Sequence, residues 1–298
     1  MPKTAYVNGA FVPLQHASVA MEDRGYQFGD GIYEYMTFYN RRVVNRDLHL
    51  ARLERSLASI EMAMPANIPV LKMIIDDLIA RNGFDDGGVY LQVTRGVARR
   101  DHPFPGAAIR PSLTMAVYKP KLPAAELYHD GISVVTHADI RWKRTDIKTT
   151  SLLGNVLLKQ VSIKAGARET WLFDQNNFIT ECSHSNCHIV DIEGRLVTHP
   201  ADQSILGGTM RSFLIETARE VGIEVVERPF TVDEAYNASE AFNSSCTANV
   251  LPVTSIDGRK VSQGVPGPVT QKLLKAVLAK IEQQTGKDFD LKGYGLAA

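Results

Sequence analysis

The chain has 298 residues, 44% of them hydrophobic and 22% charged, with Lys plus Arg equal to Asp plus Glu at 33 each. That length buries one large core or two of ordinary size. The balanced charge removes the long-range field that draws a protein to nucleic acid or an anionic membrane, so small molecules are the expected partners. Cys182, Cys187 and Cys246 are too few for a secreted disulfide framework. No apolar run approaches the roughly 20 residues of a membrane span, and the opening Met1-Pro2-Lys3 does not read as a signal peptide, so a reducing cytoplasm is the expected location.

In chain order, Tyr6 to Val12 reads as a hairpin turned at Asn8-Gly9. Asp47 or Asn45 can cap a helix whose Leu50, Leu53, Leu57 and Ile60 recur at helical spacing. A second helix carries Leu71, Ile74, Ile75, Leu78 and Ile79, with Asn82-Gly83 where a C-terminal cap belongs. Val89 to Thr94 and Ser112 to Tyr118 are strand-like, and residues 119 to 126, with two prolines, suit a linker. Ile132 to Val135 is a β-branched run, Ser151 to Ala165 is helical in period, and Glu169 to Phe173 with Phe178 to Val190 reads as a hairpin around Gln175-Asn176-Asn177. Glu193-Gly194 turns into a further strand. Thr209 to Val221 is helical, Thr231 to Glu234 forms a capping box, and a last amphipathic helix runs from Pro268 to Gln284. The pattern is α+β, divided into an N-terminal α/β domain at 1–118, the linker at 119–126 and a C-terminal domain at 127–298.

Four places carry side chains suited to chemistry. Lys148, in Asp146-Ile147-Lys148-Thr149-Thr150, stands beside an isoleucine just before a helix start. A desolvated amine is a competent Schiff-base nucleophile, although a lysine in such a context is ordinarily solvated. Glu181 shares a strand face with Ile179 and Ser183, and a carboxylate there wants a cationic partner. A protonated pyridine nitrogen would serve; an arginine, or an exposed face, is the ordinary alternative. Gly207-Gly208-Thr209-Met210-Arg211 opens a helix, where unpaired amides and the positive dipole end suit an anion such as a phosphate, which Arg52 could also neutralise. Arg99-Arg100-Asp101-His102 lies in a loop after a strand, and a guanidinium with a histidine two residues on can grip a carboxylate, where plain solvated charge is the alternative. His184 and His188 would share a strand face, but no third ligand at a recognised spacing accompanies them, so no metal is expected.

Taken together these residues resemble a known family over nearly the whole chain. Glu22 to Glu34, reading EDRGYQFGDGIYE, is similar to the signature of fold-type IV pyridoxal-phosphate enzymes, D-amino-acid transaminases above all. Asp146-Ile147-Lys148 resembles the family's cofactor lysine segment. Thr180-Glu181 with Ser185-Asn186 resembles the pyridine-nitrogen strand, and Ile205-Leu206-Gly207-Gly208 the phosphate turn. The resemblance implies a small N-terminal α/β domain, a larger C-terminal domain around a β-barrel-like core, and a homodimer. It implies a PLP-dependent aminotransferase moving the amino group of a D-amino acid, D-alanine-like, to a 2-oxo acid such as 2-oxoglutarate. Branched-chain L-amino-acid transaminase, (R)-amine transaminase, aminodeoxychorismate lyase and an inactive cofactor binder are the alternatives. By the same resemblance Lys148 carries pyridoxal 5'-phosphate as a Schiff base and shuttles the proton. Glu181 holds the pyridinium; Arg52, Thr209, Met210, Ser245 and Cys246 hold the phosphate; Tyr33 lies near the reacting amine; and Arg100 with His102 traps the substrate carboxylate. Four positions depart from the family. Met210 and Cys246 stand where threonines are frequent, leaving side-chain hydroxyls to Thr209 and Thr247; His188 stands for an aromatic, and Thr37 for a lysine of some relatives.

Overall fold

The structure is a computed structural model describing residues 3–119 and 122–296. It divides into two compact units. The first comprises residues 3–119 with Ile147–Leu152 and Gln284–Gly286; the second comprises residues 122–146, Leu153–Gln283 and 287–296. Within the expected linker Pro120-Lys121 lies outside the described residues, and the linker's last position already begins a short helix, Glu126–Asp130.

The first unit is built on a six-stranded antiparallel sheet, ordered Ala10–Pro13, Thr4–Val7, Ser112–Tyr118, Gly87–Thr94, Gly31–Tyr39, Arg42–Val43. Its opening hairpin turns at Asn8-Gly9, both at positive φ, with Val7 opposite Ala10. Register aligns Ile32 with Val93 and Leu113, and Met36 with Val89 and Val117. Period two therefore collects one apolar face, which packs on Leu50, Leu53 and Leu57 of the helix Arg46–Ser59 and on Leu71, Ile75 and Leu78 of the helix Ile68–Asn82. Each such burial is worth roughly 1.5–3 kcal/mol, enough to fix which way the strand faces. The second helix ends at Gly83 in the left-handed region, φ 68°, as its sequence suggests. The first begins at Asn45, itself left-handed and without a side-chain cap, so neither expected cap acts as one.

By the same period Tyr33 projects from the opposite face. Along that strand's other edge runs the segment Ile147–Leu152: Tyr33 N–H donates to the Lys148 carbonyl at 3.0 Å, Thr150 N–H to Gly31 at 2.9 Å, and Ile147 joins the core at 4% exposure. Lys148, expected with the C-terminal domain, thus packs in the first unit.

The second unit carries a nine-stranded mixed sheet, the barrel-like core. Its order is Val225–Glu227, Leu196–Thr198, Asn186–Val190, Glu240–Ser245, Asn249–Ile256, Ile132–Ala138, Glu169–Phe173, Ile179–Cys182, with Arg259–Lys260 on Asn249–Ile256. Ile132–Ala138 and Glu169–Phe173 pair in parallel, which requires a crossover, supplied by the helix Leu153–Lys164. The connection into that helix carries Asp139, Arg141 and Lys148. The strand expected over 178–190 is broken at 183–185: Ile179–Cys182 pairs with Glu169–Phe173, whereas Asn186–Val190 pairs with Leu196–Thr198 and Glu240–Ser245. The helices Thr209–Glu220 and Pro268–Thr285 lie within a residue of their expected ends, and the Thr231–Glu234 capping box forms. Among the described residues no helix is long and apolar enough to cross a membrane.

Candidate active site

Lys148 is half-buried, its nitrogen 3.2 Å from the Tyr33 hydroxyl and 4.3 Å from the Tyr33 ring centre. Among the described residues it makes no ion pair, so no counter-charge would have to be displaced for its nitrogen to act as a nucleophile. Tyr33 is held in turn by Tyr90, whose ring stacks on it at 5.7 Å and 26° and whose hydroxyl donates to Gln92 Oε1 at 2.6 Å. Burial, reinforced by Tyr33 and Tyr118, pushes Tyr90 up to about 12, so it remains a neutral donor at physiological pH. On the same face of the sheet Tyr90, Gln92, Thr94, Ser112, Thr114 and Thr150 line a cavity of about 310 Å³. That is at the small end of ligand-sized cavities.

On the core face of the same strand Glu34 is fully buried. Burial alone would raise its pKa; the charge and hydrogen bonds of Arg52, and then of His49, overcome it and hold it at about 2. Arg52 Nε donates to Oε1 and Nη2 to Oε2, both at 2.7 Å, and His49 Nδ1 lies 2.6 Å from Oε2. Arg52, a phosphate ligand by resemblance, is thus tethered by a carboxylate that sequence reasoning did not single out. A period-two reading contains the signal: a glutamate between Ile32 and Met36 on an apolar face demands a cation.

In the second unit Glu181 lies on a strand buried along its whole length. Its carboxylate accepts from Arg141, from Asn186 Nδ2 at 3.1 Å and from the Leu206 amide at 3.1 Å. The arginine pairing that counts as the ordinary alternative is therefore present. Arg141 also grips Asp139 through Nε at 2.9 Å and Nη2 at 2.6 Å, and Thr180 donates to Asp139 at 2.9 Å. Burial pushes Glu181 above the usual carboxylate range despite Arg141, whereas the same guanidinium holds Asp139 low. Neither Arg141 nor Asp139 announces itself in the sequence.

Asn186 links this carboxylate to the glycine turn, since its Nδ2 also donates to the Leu206 carbonyl at 3.0 Å. A Cβ on Gly208 would come within 2.1 Å of Asn186 Oδ1, which is why the turn needs glycine there. Gly208 caps the helix Thr209–Glu220 without a side-chain hydrogen bond, and that helix presents its positive end at Thr209 and Met210. The Met210 side chain is buried, so only its backbone can serve a ligand. Thr209 Oγ1 lies 3.4 Å from Cys246 Sγ, and in the same turn Ser245 Oγ lies 3.4 Å from Thr247 and accepts from the Ala248 amide at 3.2 Å. Glu181, Thr209, Met210, Ser245 and Cys246 are thereby assembled in one unit.

Arg100 and His102 are exposed and gather around Phe28, the guanidinium carbon 5.1 Å and the imidazole 5.7 Å from its ring. Arg24 anchors their loop through the Asp101 carbonyl at 2.6 Å and is itself fixed to Asp30 at 2.8 Å. The pair forms two adjacent donors, but among the described residues neither hydrogen-bonds Tyr33 or Lys148. His184 and His188 do not share a strand face: His184 stands in the 183–185 break, 2.5 Å from Glu169, and His188 is buried, 2.8 Å from Ser244 Oγ. Among the described residues no group of three or more His, Cys, Asp or Glu could hold a metal ion.

Residues 31–256 match the family model for amino-transferase class IV. The chain is 39% identical over 280 residues to the D-alanine aminotransferase of Bacillus licheniformis, covering 94% of this chain and 98% of that one. It is also 39% identical over 282 residues to the D-alanine aminotransferase of Listeria monocytogenes serotype 4b, covering 94% and 97%. Among solved structures, the Escherichia coli branched-chain amino acid aminotransferase superposes with a TM-score of 0.87 at 26% identity over 97% of each chain. The branched-chain aminotransferase of the thermophilic archaeon Thermoproteus uzoniensis, solved with norvaline, shares the fold with a TM-score of 0.82 at 24% identity, over 95% of this chain and 96% of its own.

Proposed function

From its membership of the class IV aminotransferases, to which this chain belongs, we propose that it transfers the amino group of a D-amino acid, D-alanine foremost, to a 2-oxo acid such as 2-oxoglutarate. The carrying observation is the 39% identity to a D-alanine aminotransferase along 94% of the chain. The side chains present fit pyridoxal 5'-phosphate: a lysine nitrogen facing a phenol, a buried carboxylate, and a helix start flanked by a hydroxyl-bearing turn. When bound, that cofactor supplies an aldehyde that accepts the amino group and a protonated ring that draws electrons from the substrate Cα. Lys148 would hold it covalently and, once released, its nitrogen would take the Cα proton and return one at the far end of the transfer. Tyr33 steadies that nitrogen through its hydroxyl. Glu181 would keep the ring nitrogen protonated, and its ionised state is supported by Arg141, Asn186 and the Leu206 amide. Arg52, the amides of Thr209 and Met210, and the Ser245-Cys246 turn would hold the phosphate. Arg100 and His102 take the α-carboxylate.

Parallel coupled assays with D-alanine, L-leucine and an (R)-arylamine test the reading. D-alanine is expected to turn over fastest, and turnover of L-leucine alone would replace the D-specific assignment by the branched-chain one. A homodimer belongs to the same reading. It is supported by an apolar stripe on the helix Leu153–Lys164, where Leu153 is 72% exposed, Val156 55% and Ile163 55%. Sedimentation should give twice the chain mass, and Val156→Glu should shift it toward one; a monomeric wild type rules the dimer out.

A further inference from the structure

Glu34 occupies a position that packing alone would give to an apolar side chain. Its neighbours on the strand face, Ile32, Met36 and Phe38, are all at 0% exposure, and so is Glu34 itself. Replacing a buried ion pair by well-packed hydrophobic residues is often neutral or stabilising, so stability by itself does not account for a carboxylate here. What the carboxylate does is geometric. Two hydrogen bonds from Nε and Nη2, each 2.7 Å, lock the plane of the Arg52 guanidinium, whereas one bond would let it swing. His49, one helical turn before Arg52, reaches Oε2 at 2.6 Å and holds the carboxylate from the side. Both partners come from the helix Arg46–Ser59, so the clamp fixes helix, strand and guanidinium together.

We propose that Glu34, backed by His49, is a positioning residue that sets the plane of the Arg52 guanidinium for the phosphate of the cofactor. The inference rests on the reading above, in which a phosphorylated cofactor is bound and Arg52 meets its phosphate. Glu34 touches no reacting atom; its effect travels only through Arg52. It follows that Glu34 should matter for a ligand that carries the phosphate and not for the same ring without it. The carboxylate stays ionised throughout the working range, because Arg52 and His49 hold it near 2 against the effect of burial, so the clamp is constant with pH there.

The test compares the affinity of the full-length protein, freed of cofactor, for pyridoxal 5'-phosphate and for pyridoxal, by absorbance titration. In Glu34→Gln and in Arg52→Lys the preference for the phosphorylated ligand should fall about tenfold or more, a change of ~1.4 kcal/mol or greater, with pyridoxal binding nearly unchanged. The double variant should fall no further than the worse single one, because both act on one contact. Equal weakening of both ligands in Glu34→Gln, or no change in either, overturns the inference. If Arg52→Lys lowers the preference and Glu34→Gln does not, the inference fails while the phosphate role of Arg52 stands. If Arg52→Lys keeps the wild-type preference, that phosphate role fails and the inference with it. Should Glu34→Gln not fold, His49→Asn leaves the Glu34–Arg52 pair in place: a fall of roughly threefold supports the inference and an unchanged preference overturns it.

Discussion

Lys148→Ala is expected to lower turnover by at least about 10⁴-fold while leaving a folded protein, because the proposed reading gives the nucleophile and the proton carrier to this one nitrogen. The structure explains why the fold should survive. What pins the segment is its backbone: the Lys148 carbonyl accepts from Tyr33 at 3.0 Å, Thr150 N–H donates to Gly31, and Ile147 is buried in the core. The side chain contributes one hydrogen bond to Tyr33 and a contact with its ring, together on the order of 1 kcal/mol. Borohydride reduction of the wild-type holoenzyme followed by peptide mapping should label Lys148, and the alanine variant should take no label. Label at another lysine, or wild-type turnover in the variant, removes Lys148 from the chemistry.

Glu181→Gln is expected to reduce kcat by about a hundredfold or more with little change in KM, since an amide cannot hold a proton on a pyridine nitrogen in the way a carboxylate does. It should cost the cofactor-free protein little stability. Glu181 has its folded pKa raised above the ordinary value of 4.5, by burial more than Arg141 offsets. The sign follows directly: a carboxylate raised on folding binds more protons in the native state, so its ionisation opposes folding. That opposition is absent below the unfolded value near 4.5 and complete above the raised folded value. On this account the glutamine variant should match or exceed the wild type in Tm at neutral pH, and the two should converge as pH falls toward 4.5. Arg141 remains bound to Asp139 at 2.6 Å in that variant, so no buried guanidinium is abandoned. Arg141→Gln should behave in the opposite manner, leaving Glu181 and Asp139 without their cation at a cost of roughly 3–5 kcal/mol. A Glu181→Gln protein of full activity, or one as unstable as Arg141→Gln, contradicts this division of roles.

Much of this arrangement is legible in local patterns. Alternation identifies the strands Gly87–Thr94 and Ser112–Tyr118, and the 3.6 period identifies the helix Ile68–Asn82 together with its terminal glycine, because each pattern reports which side of an element meets the core. The hairpin at Asn8-Gly9 is legible for a different reason, since only residues tolerant of positive φ close so tight a turn. Patterns fail where neighbours in sequence are separated in space. The run from Phe178 to Val190 has the composition of one strand, yet the chain breaks at 183–185 and its halves take different partners. Lys148 belongs by sequence to the chain after the linker, yet packs on the strand that holds Tyr33.

The chain alone yields the family, the main helices, part of both sheets and a set of candidate residues at positions 148, 181 and 207–211, because periodicity, turn chemistry and short motifs are local properties; it leaves the strands Gly31–Tyr39, Glu240–Ser245 and Asn249–Ile256 unread. The tertiary structure decided which charge answers which: Arg52 lies 18 residues from Glu34, and Arg141 lies 40 residues from Glu181. No local pattern sets such pairings. They arise because a carboxylate taken out of water must find a cation among whatever side chains the packing of distant segments brings beside it.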